Sequence, residues 1–533
     1  MKRVLVSVVV MVMLFLAGCG DSNDVNTTPQ PTMNINEPMP TPVGELKVKP
    51  VSGGTVTLGV SKFRTLNPLV ADNEDMKHYL NLVYDPLFKL DFQQNVLPCL
   101  AVSAKTQDKG MSWEISLRKD VVWHDDKAFS AADCIHTINF LMKNDSLYSA
   151  NVANIEECTL IDEYTFSIKL RKPDMYVAGK LTFPIVSATA TGIDKNAVGT
   201  SMYRHIITED NKMVLVANDK YWGKMPYIET VEIHFFDNER LKYESNCDLL
   251  LLTGSNVTRY MNKAGYISYK YTGRNYVCLV PNLRTNNVAM DVNIRKALMH
   301  IIDFERVINA SVSGNGIKAA WPVMPGTRYT KESSHMYERD LNKAVEYLER
   351  AGYRKLDDGY WYKASDTQRR YPLTIPVNVL SVDTEMRLCA ENIKKQVEEI
   401  GIIFSINYQT EADFETALTS NNFSCALLSF YIGSWPDIEP LFATEGVMNL
   451  SGYTNEELDG LLAGLFEKDS ILDDMTRIKG ILDDDLPIMG LYISQEAIVI
   501  SEKIYGKDAE YNFWSLLDNF GNLHMFTEGI IEE

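Results

Sequence analysis

After its first twenty residues the 533-residue chain has no run of about eighteen consecutive apolar residues, so no later segment has the length of a membrane-spanning helix. It has no C-x-x-C pair, which removes a zinc ribbon or a thioredoxin-type site. G-x-S-x-G, H-E-x-x-H and G-x-x-x-x-G-K-[ST] are all missing, so the usual serine-hydrolase, zinc-protease and P-loop chemistries have no framework. The eight histidines are scattered, with none three to five residues from another, and no clustered metal-ligand motif results. Positive charge is short: 52 Lys and Arg against 71 Asp and Glu leave a formal charge of −19, which disfavours a nucleic-acid partner. With 45% hydrophobic and 23% charged residues, the composition excludes wholesale disorder, collagen and a disulfide mini-scaffold. No catalytic residue, metal site or cofactor is expected. His124 beside Asp125 and Asp126 reads as a turn, and Gly314 to Ala319 matches G-x-G-x-x-A only by letters, after a helix-like stretch.

The chain begins with an address. Lys2 and Arg3 precede an uncharged apolar run from Val4 to Leu16, too short to span a bilayer comfortably and typical of a signal peptide. The tetrad Leu16-Ala17-Gly18-Cys19 resembles a bacterial lipoprotein signal, which implies cleavage after residue 18 and acylation of Cys19. Several acyl chains anchor stably where one is marginal. Residues 19–52 are rich in Pro, Asn, Thr and Ser and read as a flexible tether. Of the eight cysteines, seven remain once Cys19 is lipidated, so a monomer keeps at least one free thiol. Most lie in apolar runs and read as small buried hydrophobes. Their pairing stays open.

Beyond the tether, strands and helices interleave. Thr55–Val60, Trp113–Leu117, Tyr164–Leu170 and Val231–Phe235 alternate as strands do. Ser130-Ala131-Ala132-Asp133 has the form of a capping box with Asp for Glu, and Ala131, Cys134, Ile135, Ile138, Leu141 and Met142 behind it share one helix face. A second helix opens at Asp340 and stops at Gly352. A third runs from about Thr384 to Ile400, Gly401 ends it, and a strand follows to Tyr408. Leu458, Leu461, Leu462 and Leu465 mark a fourth. The class is α/β without internal repeats.

The run from Leu117 to Asp133, with Val121-Val122-Trp123-His124-Asp125-Asp126 at its centre, resembles the signature of bacterial solute-binding proteins of family 5, the peptide- and nickel-type receptors of ABC importers. The same order of motifs continues on both sides. Leu66-Asn67-Pro68 and Tyr84-Asp85-Pro86-Leu87-Phe88 precede it; Val198-Gly199-Thr200-Ser201-Met202-Tyr203, Asn218 to Gly223, Ile294 to Leu298 and Asp485-Leu486-Pro487 follow. The resemblance implies a two-lobed periplasmic-binding-protein-like fold of class II type, with an extra subdomain on the first lobe and a two-strand hinge. By that analogy residues 1–18 are the signal peptide. Lobe I takes 53–79, 186–283 and 501–533, the extra subdomain 80–185, and lobe II 284–500.

The resemblance also implies a ligand between the lobes and closure around it. The family's G-W-x-x-D-Y-x-D-P cleft segment aligns with Ser429 to Ile438, where Gly433 stands at the position of the amine-pairing Asp, and Asp437 either substitutes for it or caps a turn. Phe430, Tyr431 and Trp435 offer amphipathic surface. Phe63, Arg64, Leu66 and Asn67 stand on the facing loop, and Arg274, Asn275 and Tyr276 are expected just before the first hinge strand, at an edge where a peptide could add by main-chain hydrogen bonds. The expected partners are a peptide or other small solute, an ABC permease with its ATPase, and the membrane through the lipid anchor. The protein is expected as a monomer on the outer face of the cytoplasmic membrane. A ligand-binding sensor lipoprotein and an extracytoplasmic hydrolase remain as alternatives.

Overall fold

One mixed sheet runs through the molecule. In spatial order its strands are Ile403–Gln409, Thr374–Leu380, Cys425–Tyr431, Tyr266–Pro281, Met489–Ser501, Leu249–Leu252, Thr55–Ser61, Thr230–Phe236, Met213–Ala217 and Tyr203–Ile207, with Gly316–Lys318 paired beside Met489–Ser501. Two of these, Tyr266–Pro281 and Met489–Ser501, are long and antiparallel. Tyr266–Pro281 pairs through its C-terminal part with Cys425–Tyr431 of one half, and Met489–Ser501 through its C-terminal part with Leu249–Leu252 of the other, so the two strands, paired with each other, join the two halves. The computed structural model describes residues 46–531 except 72–73, 208–212, 285–286, 331–336, 365–370, 508–509 and 515. Within this range residues 49–528 form one compact unit. The signal peptide, Cys19 and the tether up to residue 45 lie outside the described residues. Among those described, no helix is long and apolar enough to cross a membrane.

Period-two alternation decides which core each crossing residue joins. Val277 and Leu279 pack with Leu427 and Leu491 on one face, while Tyr276, Cys278 and Val280 pack with Ala426 and Leu428 on the other. Both faces of the second half are covered, which is why this strand reads as an unbroken apolar run. The seven described cysteines are free thiols, and all but Cys158 are buried. The sequence periodicities hold: helices span Ala131–Lys143, Leu341–Arg350, Thr384–Glu398 and Glu456–Ala463. Gly401 ends the third at φ +90°, a conformation that suits glycine.

A separate antiparallel sheet of Ala101–Lys105, Ser112–Leu117, Thr165–Leu170 and Ile155–Asp162 carries the helix Ala131–Lys143. The expected cap is present. The Asp133 carboxylate accepts from the Ser130 backbone N–H at 2.9 Å, the Trp123 indole N–H at 3.3 Å and the Ala188 N–H at 2.8 Å. Asp133→Ala would strand these donors in the interior, at a cost of about 2 kcal/mol in unfolding free energy. Urea titration of the variant beside Asp133→Asn, which keeps one acceptor oxygen, measures it.

The quoted motifs converge below this sheet. The buried Asp85 accepts from the Thr200 hydroxyl at 3.2 Å and the Trp222 indole at 3.1 Å, and Arg118 lies 4.2 Å from the Trp222 ring centroid. Gly199 N–H donates to His124 Nδ1 at 3.1 Å, and His124 Nε2 donates to the Ser201 carbonyl at 3.1 Å. Burial lowers the His124 pKa to about 4, so the imidazole is neutral and acts as a structural bridge.

Candidate functional site

Two cavities flank Phe513 where the long strands cross. One, of about 330 Å³, is walled by both halves of the sheet: Asp75, Glu239 and Lys242 come from the first, Glu385 and Tyr431 from the second, and Arg274, Asn275, Ser494 and Glu496 from the crossing strands. The other, of about 610 Å³, carries five aromatic side chains, Phe92, Tyr269, Tyr511, Phe513 and Trp514, beside Met324, Pro325 and the polar Ser268, Lys270, Thr272, Glu510 and Asn512. A pocket of several hundred Å³ with apolar walls and a few convergent polar groups is the ordinary form of a small-ligand site.

The backbone opens where the first cavity forms. Thr272 pairs with Gln495 and Tyr276 with Ile493, so Gly273, Arg274 and Asn275 oppose Ser494 alone. This bulge aims Arg274 and Asn275 into the cavity. The Arg274 guanidinium lies 4.4 Å from the Phe513 ring centroid, 5.3 Å from Tyr431 and 5.5 Å from Trp514, and its Nη2 is 3.1 Å from Glu74 Oε1. Lys77 also pairs with Glu74, and Lys242 with Asp75 at 2.7 Å. Burial pushes the Glu74 carboxyl up, but Arg274 and Lys77 outweigh it and hold it below the ordinary glutamate range. Glu496 goes the other way. Burial raises it to about 7 against the Tyr271 hydroxyl, which donates to Oε2 at 3.0 Å, and against Arg274, while Glu74 and Asp75 add to the rise.

A carboxyl raised in the folded state contributes stability below its unfolded pKa and loses it as pH climbs through the folded one. For Glu496 the window runs from the ordinary glutamate value of 4.5 to about 7. Without added ligand, Glu496→Gln is therefore expected to be more stable than wild type at pH 8 by about 2–3 kcal/mol, with the gap closing by pH 5. Denaturant titrations of both proteins across that range measure it.

The halves also touch around the cleft. Met175 N–H donates to the Phe466 carbonyl at 2.8 Å, the Tyr176 hydroxyl to the Asp469 carbonyl at 3.0 Å, and Lys172 pairs with Glu439 at 3.2 Å. Ser255 N–H donates to Glu385 Oε1 at 3.1 Å.

Of the residues expected from sequence, Arg274, Asn275 and Tyr431 line the first cavity. Trp435 and Asp437 face Lys180: Lys180 Nζ is 5.5 Å from the Trp435 ring centroid and 2.6 Å from Asp174. Burial raises the Asp437 carboxyl, with Lys180 opposing. Trp435 Nε1 and Asp437 Oδ1 are buried without a hydrogen-bond partner. Phe430 packs at the edge of the second half's core. Phe63, Arg64, Leu66 and Asn67 line neither cavity. Phe63 packs against Phe235 with ring centroids 5.1 Å apart and planes tilted by 51°, Leu66 is fully buried, and Asn67 Oδ1 accepts from Leu69 N–H in a local turn. Tyr276 is fully buried with its hydroxyl donating to the Ala320 carbonyl, because one residue of strand parity turns it away from Asn275.

The expectation of a free edge at 274–276 is corrected. These residues lie inside a central strand, with Asn275 opposite Tyr431 and Tyr276 between Phe430 and Ile493, so neighbouring strands already hold the edge.

The sequence profile of bacterial extracellular solute-binding proteins, family 5, middle part, matches residues 95–446. The chain belongs to that family. Among curated relatives, the oligopeptide-binding protein AppA of Bacillus subtilis (strain 168) is 21% identical, over 94% of this chain and 95% of its own length. The nickel-binding periplasmic protein of Escherichia coli (strain K12) is 24% identical, over 62% of this chain and 67% of its own length. The crystal structure of the ABC transporter substrate-binding protein CtaP from Listeria monocytogenes superposes with a TM-score of 0.74 at 18% identity, covering 89% of this chain and 99% of that one. This family 5 protein accordingly has the α/β, two-lobed binding-protein fold, with a subdomain added to the first lobe and a two-strand hinge. The family is one of solute receptors, not enzymes, and works outside the cytoplasm.

Sequence reasoning missed Glu74, Glu385, Ser494, Glu496 and Phe513. One signal was present: Gln495 and Glu496 interrupt the apolar run of Met489–Ser501, and a carboxylate inside a buried strand is expensive without a purpose.

Proposed function

We propose that this protein is the lipid-anchored substrate-binding component of an ABC importer, which captures an oligopeptide or similar small solute between its lobes and delivers it to a membrane permease. The observation that carries the reading is the pair of cavities at the strand crossing, walled by both halves of a family 5 chain. Arg274, Asn275 and Tyr431 contact the solute, and Trp435 and Asp437 form a second contact region whose buried Nε1 and Oδ1 have no partner within the protein. Lobe I comprises 53–79, 186–283 and 501–533, the extra subdomain 80–185 and lobe II 284–500. The protein acts as a monomer. Closure follows from contacts the solute makes better in the closed form than in the open one. Cys19 carries the acyl chains and holds the protein on the outer face of the cytoplasmic membrane.

Mass spectrometry of solute carried through purification tests the function, followed by calorimetry against a peptide library. Peptides recovered from the protein and binding again on titration are the expected result; no binding by any peptide overturns the peptide reading. A Cys19 peptide recovered without acyl groups overturns the anchor.

A further inference from the structure

Five carboxylates, from Glu74, Asp75, Glu239, Glu385 and Glu496, line the 330 Å³ cavity against two cations, Lys242 and Arg274. Two are matched within the protein, Asp75 by Lys242 and Glu74 by Arg274 and Lys77. Among the described residues the other three have no cation within 4.0 Å. Glu239 has only Asn256 Nδ2 at 3.5 Å, Glu385 accepts from the Ser255 backbone, and Glu496 accepts from the Tyr271 hydroxyl. They come from three separate elements: the start of the helix Glu239–Glu244, the first turn of the helix Thr384–Glu398, and a crossing strand.

A second observation is independent of charge. Ser494, 5% exposed, lines the same cavity, and its hydroxyl has no hydrogen-bond partner. Glu74 Oε2, on the same wall, is also buried without one. Unpartnered buried polar atoms carry a desolvation cost that a ligand can remove. The lining therefore needs hydrogen-bond donors and positive charge together. An alkylammonium brings three N–H donors and a guanidinium five, with no acceptor to repel the carboxylates. A ligand anion would face three carboxyl groups that have no ion-pair partner.

We infer that this cavity receives a cationic tail of the solute of the lysine or arginine side-chain type, an ammonium or guanidinium on an alkyl chain and not a peptide's amino terminus, held by Glu239, Glu385 and Glu496 with the Ser494 hydroxyl as a further acceptor. The inference rests on the solute-binding reading above and names the chemical class of the solute. Glu239 and Glu385 stand on opposite halves of the cleft. A cation between them relieves their repulsion only when the halves are together, so it favours the closed form by differential contact.

The test is calorimetric titration of the intact protein with the tripeptides Ala-Lys-Ala, Ala-Arg-Ala and Ala-acetyllysine-Ala, and separately with agmatine. The lysine and arginine peptides are expected to bind about tenfold tighter than the acetyl-lysine peptide. The double variant Glu385→Gln/Glu496→Gln removes that difference while its melting temperature stays at or above wild type, which separates lost recognition from lost folding. Equal binding of lysine and acetyl-lysine peptides by wild type overturns the inference and leaves the receptor reading standing. Agmatine binding that the double variant loses, with no peptide bound, keeps the inference and overturns the peptide reading. Silence from all four probes overturns both.

Discussion

Arg274→Ala is expected to lower the unfolding free energy by about 3 kcal/mol and to abolish measurable solute binding. Its guanidinium is the hub of the crossing: it pairs with Glu74 and lies within 5.5 Å of the centroids of Phe513, Tyr431 and Trp514. Truncation leaves Glu74 with Lys77 alone and removes the cation that opposes the rise of the Glu496 carboxyl. It also opens space beneath three rings that packed on the side chain. Breaking one partner from a partly buried ion pair costs more than the pair contributes, because the remaining charge stays desolvated. Arg274→Lys keeps the charge but loses the planar stacking, so it recovers part of the stability and little of the binding. Urea titration reads the first effect and calorimetry the second. A loss below about 0.5 kcal/mol, the range of ordinary surface substitutions, would mean that the rings hold the crossing together without the cation.

Gly199→Ala is expected to cost about 3 kcal/mol or more. A Cβ there would sit 1.8 Å from the Val83 carbonyl oxygen and 2.6 Å from its carbon, and backbone atoms cannot swing aside as a side chain can. The same oxygen accepts from Ser201 N–H at 3.0 Å, and Gly199 N–H holds His124, so any shift disturbs both bonds. Trp222 and Thr200 around Asp85 move with them. Gly460→Ala is the matched control. That residue lies inside the helix Glu456–Ala463 with open space around its Cβ position, and alanine should stabilise it by about 0.5–1 kcal/mol. Paired melting curves of the two variants, shifting in opposite directions, check the account.

These results bear on what the sequence makes legible. The helix face of Ala131, Cys134, Ile138 and Leu141 is readable because burial repeats at helical spacing, and its cap because a carboxylate three residues inside the helix reaches back to the first free N–H. The motifs around Trp123, Gly199 and Trp222 carry the family resemblance, yet they build the seat of Asp85 and not the cleft. They identify the fold and are silent on the solute. Arg274, Asn275 and Tyr431 line the first cavity, and Tyr276 does not. A strand alternates faces at every residue, and only the bulge at Gly273–Asn275 lets two successive side chains reach the same space. Glu239, Glu385 and Glu496 were illegible for a different reason. Glu239 and Glu385 stand in the first turns of helices, where acidic residues are ordinary, and only the tertiary fold brings the three together.

The free cysteines have a consequence for how this protein matures. Seven reduced thiols in the described chain, six of them buried, mean that nothing there waits on an oxidant or an isomerase. Among the described cysteines an oxidising environment reaches only the partly exposed Cys158 while the protein stays folded, and burial keeps even that thiol protonated, with its pKa pushed up to about 12. Chemical durability outside the cytoplasm, where the family works, is thus supplied by packing, and it lasts as long as the packing does.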